Sequence, residues 1–204
     1  MTKPSSAEEI LIPLPMPRDQ IVGPSQIRST LIASSLRALR DRGLEARYVS
    51  GLDPQWRAPI LETVAGIWLP FDAGLAHYAA CDKLELSVAE QLAIGREVGD
   101  RIQGTFLGTM IRASRGVGVT PWIAFPHVQK LYERIFDGGA FWVAKTGPKD
   151  VRMELVGNPI VRFGYFRNAM RGVWLVALEL FASKGYVHEV GRTESSYKVK
   201  ISWA

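Results

Sequence analysis

The sequence predicts an α+β fold: a helical N-terminal layer packed on a small antiparallel sheet, with a hairpin, a long helix and a second hairpin in the C-terminal half. Three observations predict it. Before residue 140 the apolar residues recur in steps of three and four, the period of a helix buried on one face. From Ala140 the period drops to two, as in strands with one wet face. Between the two alternating pairs, the stretch 160–185 returns to the helical period.

Residues 1–24 read as a Pro-rich extended lead-in. Pro13, Pro15, Pro17 and Pro24 exclude helix there, and Ile10, Leu11, Ile12 and Leu14 offer a little apolar contact. A single domain spans 25–204, because the helices need the sheet to complete their core. Ser25 caps a helix running to about Arg42, with Ile27, Leu31, Leu36 and Leu39 inward and Gly43 as its stop. Asp53-Pro54 places a cap and a first-turn proline at the start of the next helix. Its face is Trp56, Ile60, Leu61, Val64 and Ile67, and Trp68-Leu69-Pro70 ends it. A short helix covers 72–83.

Ser87-Val88-Ala89-Glu90 is a capping box, and the helix it opens reaches Ser114. Gly95 and Gly99, then Gly104 and Gly108, are four apart on one face of that helix, where another element can come close. Thr120-Pro121 opens a helix that ends at Asp137-Gly138-Gly139. Strands at 140–146 and 151–156 flank the turn Gly147-Pro148-Lys149-Asp150. The long helix follows, with Phe163, Phe166, Met170, Val173, Trp174, Ala177 and Leu178 on its apolar side. Arg162, Arg167 and Arg171 lie opposite, on a face expected to meet water. Gly164 and Gly172 interrupt it; each is there for close packing or for ligand space. Strands at 186–192 and 196–203 close the chain, and Tyr197, Val199, Ile201 and Trp203 alternate with Ser196, Lys198, Lys200 and Ser202.

The totals narrow the function classes. In 204 residues, 25 basic side chains against 20 acidic give a net charge of +5, and the basic residues are scattered. No basic run interleaves with aromatics, which argues against a nucleic-acid surface. A single cysteine, Cys81, rules out an intramolecular disulfide framework and fits a cytoplasmic setting. No apolar run is long enough for a membrane span.

Catalytic and metal chemistry find little support. His77 and Cys81 share a helix face, but two ligands make a poor metal site. His127 is an isolated candidate for axial haem ligation, and His188 cannot act with Glu189 across a strand. No Gly-x-Ser-x-Gly elbow occurs. No catalytic residue, metal ligand or cofactor is assigned, and an enzyme is the least supported class. Arg167 and Arg171, four apart, are the candidates for holding an anion or an acidic partner.

Several short stretches carry a resemblance. They are Leu36-Arg37-Ala38-Leu39, Trp68-Leu69-Pro70, Tyr78-Ala79, Ile94-Gly95-Arg96, the run from Phe166 through Met170 and Gly172 to Ala177-Leu178-Glu179, and 195–203. With them the chain resembles a paralogous family of small myxobacterial proteins. More distantly it is similar to the ligand-binding fold of haem-nitric-oxide sensors, the four-vinyl-reductase domain and a Golgi trafficking component. The nearer family implies no activity; the wider one implies an apolar small-molecule pocket between the helical layer and the sheet. The stretch 193–197 lacks the cysteines with which some four-vinyl-reductase-like sensors bind zinc, and the Tyr-x-Ser-x-Arg clamp of the haem sensors is missing.

The residues therefore rank first a non-catalytic small-molecule-binding or sensory module for an apolar or aromatic ligand. Its site would lie between the Ser87 helix and the long helix, lined by Phe106, Met110, Phe166, Met170 and Trp174, with Gly99 and Gly172 supplying space. A protein-interaction module with a filled core, a homodimer or adaptor, ranks second. A haem or tetrapyrrole binder, or a reductase, ranks last.

Overall fold

The computed structural model describes residues 8–103 and 120–204. A five-stranded antiparallel sheet forms one layer, in the order β1-β4-β5-β7-β6. Its strands are β1 (Glu9–Ile12), β4 (Ala140–Gly147), β5 (Asp150–Val156), β6 (Gly185–Arg192) and β7 (Ser196–Trp203). The two hairpins form as their alternation predicts, and β7 joins them by pairing with β5. The rows match across the sheet: Phe141 faces Leu155, and Leu155 faces Tyr197. Tyr197, Val199, Ile201 and Trp203 are buried while Lys198 and Lys200 are exposed. The lead-in is part of this layer, since its β1 pairs with β4 and supplies an edge strand. Arg18, just beyond it, makes a two-pronged ion pair with Glu154 on the outer face.

The helical layer contains α1 (Ser29–Asp41), α2 (Glu45–Gly51), α3 (Pro54–Leu61), α4 (Phe71–Asp82) and α5 (Val88–Gln103). Two caps stand as read. Asp53 accepts from the Gln55 N–H at 3.1 Å, and Ser87 and Glu90 satisfy each other's backbone N–H groups.

Other boundaries differ. Ser25 does not cap α1: its backbone and hydroxyl both donate to the Asp137 carboxylate, and the chain first forms a strand, β2 (Gln26–Arg28). Trp68-Leu69-Pro70 is the partner strand, β3 (Trp68–Pro70), so the segment thought to end a helix makes a second, two-stranded sheet. Helix α3 accordingly stops at Leu61, and Val64 and Ile67 are exposed. The single helix expected after Pro121 is two 3-10 turns and the short α6 (Val128–Tyr132), because Pro126 interrupts the backbone ladder. The end of the Ser87 helix, with Phe106 and Met110, lies outside the described residues.

The long helix is shorter than its apolar pattern. A 3-10 turn (Pro159–Arg162) leads into α7 (Gly164–Glu179), and Gly185 already belongs to β6. Asp82 at the end of α4 accepts from the N–H groups of Gly164 and Tyr165, at 3.1 and 2.6 Å, and so caps α7 from another helix. Helix α7 packs along α5 with the backbones in contact. A Cβ on Gly172 would collide with the Leu92 carbonyl, one on Gly95 with the Ala169 carbonyl, and one on Gly99 would sit 3.3 Å from Val173 Cα.

Candidate ligand-binding site

Helix α7 lies over the sheet without filling the space beneath it. A cavity of about 530 Å³ remains between them, within the usual range for a small-molecule site. Three parts of the chain build it. The sheet contributes Phe141, Leu155, Tyr197 and Val199, which share one face because their positions alternate along strands in register. Helix α7 contributes Phe166, Met170, Val173, Trp174 and Ala177, spaced as one helical stripe. The segment around α6 contributes Val128, Tyr132 and Phe136. The half-buried Arg28 and the exposed Arg134 belong to the side nearest solvent.

The walls are aromatic and held in place. Phe141 meets Tyr132 edge to face at 5.3 Å and Trp174 at 6.2 Å. Tyr132 Oη donates to the Gly138 carbonyl at 2.7 Å and accepts from Asn158 Nδ2 at 2.9 Å, which fixes its ring. Arg28 stacks over Trp68 at 4.2 Å and donates to the Gly66 carbonyl. Tyr197 differs from these: its Oη is buried and has no hydrogen-bond partner. Burial and then Glu189 push its phenol up, while Arg171 and Arg167 pull the other way. An unpartnered buried hydroxyl costs about 1–3 kcal/mol.

The residues expected at a site divide in three. Phe166, Met170 and Trp174 border the cavity. Phe106 and Met110 lie outside the described residues. Gly99 and Gly172 supply no ligand space: they sit in the seam between α5 and α7, and the cavity lies on the sheet side of α7 and not between the two helices. The expected solvated arginine face is also corrected. Arg167 is buried, donates to the carbonyls of Val161 and Arg162 at 2.7 Å and pairs with Glu189. Arg171 donates to the Val187 carbonyl and to Asn168. Both guanidiniums tie α7 to its neighbours and are already satisfied. Tyr197 and Tyr132 were missed; the alternation that placed Tyr197 inward was the available signal.

The histidines lie elsewhere. His77 is fully buried, 2.8 Å from Tyr48 Oη at Nδ1 and 3.6 Å from Cys81 Sγ at Nε2. Burial holds its imidazole neutral, down at about 3, and pushes the Cys81 thiol up. His188 is exposed on the outer face of the sheet, opposite Lys200. His127 is half-buried beside Val128 but is not part of the wall. Among the described residues no group of three or more His, Cys, Asp and Glu side chains could hold a metal ion. No described helix is long and apolar enough to cross a membrane.

The fold and its cavity define a class before they define a protein: helices on an antiparallel sheet with a ligand-sized space between sheet and long helix. Solved structures of H-NOX proteins share this architecture. The Fe(II) unliganded H-NOX protein from K. algicida matches with a TM-score of 0.58 at 12% identity, over 87% of this chain and 97% of that one. An oxygen-binding H-NOX domain related to soluble guanylate cyclases matches with a TM-score of 0.58 at 13% identity, over 87% and 95%. A point variant of the T. tengcongensis H-NOX matches with a TM-score of 0.57 at 13% identity, over 87% and 97%. At such identities the likeness is one of fold. No family model and no curated protein matches the chain.

These matches overturn the ranking made from the residues. A module for an unspecified apolar ligand stood first, a filled-core interaction module second and a haem or tetrapyrrole binder last. The matching structures are H-NOX proteins, one studied for its haem distortion and another solved with oxygen bound. The core is not filled. The ranking set haem last because the Tyr-x-Ser-x-Arg clamp is missing, and a missing motif says nothing of the space the fold leaves.

Proposed function

We propose that the protein is a sensory module, without catalysis of its own, that holds a haem or related tetrapyrrole in the cavity between α7 and the sheet. The observation that carries this reading is the cavity of about 530 Å³, walled by aromatic rings, in a fold shared with H-NOX proteins. Its residues suit such a group. Phe141, Phe166 and Trp174 offer flat apolar contact and exclude water. Arg28, on the solvent side, suits a carboxylate at the ligand's edge. When bound, a haem supplies a coloured, gas-responsive centre.

Reconstitution tests it. The purified chain is mixed with haemin and followed by absorption and native mass spectrometry. A Soret band that stays with the protein on gel filtration, together with a one-to-one mass shift, is the expected result. An unchanged mass and no retained band would remove the proposal.

A further inference from the structure

We infer that the cavity holds its tetrapyrrole by the face and edge of the macrocycle, not by a bond to a central metal, so that a metal-free porphyrin is as good a ligand as haem. The inference rests on the tetrapyrrole reading of the cavity and adds the chemical class that the cavity selects.

Few side chains in the sequence can bind iron strongly. The whole sequence has three histidines and one cysteine. His77 and Cys81 are fully buried against each other and Tyr48, away from the cavity. His188 is on the far face of the sheet. His127 is outside the wall. The stretch 104–119 contains neither histidine nor cysteine, so it can bring no imidazole or thiolate.

What the wall offers is of a different kind. Met170 brings a thioether, a weak ligand when alone. Tyr197 lines the cavity, but its Oη is shielded from it and feels the charges of Glu189, Arg171 and Arg167, so it offers iron no ligand. The rings of Phe141 and Trp174 stack on a macrocycle whether or not its centre is occupied.

The test compares haemin with protoporphyrin IX on the full chain, using quenching of tryptophan emission. Both are expected to bind with affinities within about threefold of each other. His127→Ala should leave both unchanged, and Met170→Trp, which fills part of the wall, should weaken both alike, by about tenfold. Haemin binding about a hundredfold tighter than protoporphyrin IX would overturn the inference and leave the tetrapyrrole reading standing. A loss confined to haemin in either variant would overturn it too, by revealing a metal ligand. If neither compound binds, the tetrapyrrole reading itself fails and this inference falls with it.

Discussion

Tyr48 holds the imidazole of His77 at 2.8 Å in a part of the helical layer that water does not reach. The ring is neutral in the folded protein, with its pKa depressed to about 3 by burial, and it regains an ordinary value on unfolding.

That difference has a sign. Between about pH 3 and about pH 6.5 the unfolded chain binds a proton that the folded chain refuses, so stability rises with pH across this window. At pH 5 the penalty relative to pH 7 is about 2 kcal/mol. His77→Gln should flatten this dependence in urea unfolding at the two pH values. An equally steep dependence in the variant would show that other groups carry it.

Gly172 and Gly164 should respond oppositely to alanine. At Gly172 the added methyl would strike the Leu92 carbonyl, and Arg96 N is only 2.8 Å away. Gly172→Ala should therefore cost several kcal/mol, roughly the scale of overpacking. At Gly164 the nearest atom is 3.7 Å away and the backbone is helical, so Gly164→Ala should be neutral or stabilise by about 0.5–1 kcal/mol. Thermal melts of the pair decide whether the seam is as tight as described.

Asp82 joins α4 to α7 by capping it from outside. Asp82→Ala should cost about 1 kcal/mol, the loss of a cap. Hydrogen exchange at the amides of Gly164 and Tyr165 should accelerate by more than the global loss of stability explains. Unchanged local protection would show that the carboxylate does not hold that turn.

Met170→Trp places a larger side chain in the cavity wall. Tetrapyrrole uptake should drop by about tenfold or more, while the melting temperature of the unliganded protein holds or rises, because space is filled and no close packing is lost. Undiminished uptake would place the ligand elsewhere.

Much of the fold was legible because it rests on short-range rules. The alternation in 196–203 became β7 with its lysines exposed, and Asp53 and Ser87 capped where they were read to cap. Reading failed where a distant residue competed. Ser25 was drawn away from α1 by Asp137, more than a hundred residues later. Arg167 looks like a surface residue in sequence. It is buried because the carbonyls of Val161 and Arg162 and the Glu189 carboxylate surround its guanidinium. The cavity was invisible for a similar reason: Phe166, Met170 and Trp174 form the same stripe whether the space they face is full or open.

The pairing of β1 with β4 has a kinetic consequence. Glu9–Ile12 leaves the ribosome long before Ala140–Gly147, yet the two are neighbours in the finished sheet. A short apolar strand thus waits without its partner through most of synthesis, when stray pairing is the hazard. Pro13, Pro15 and Pro17, directly after it, hold the adjoining chain extended and deny a passing strand their amide hydrogens. The prolines that mark the lead-in thus guard β1 until β4, the next strand of the sheet to be made, emerges beside it.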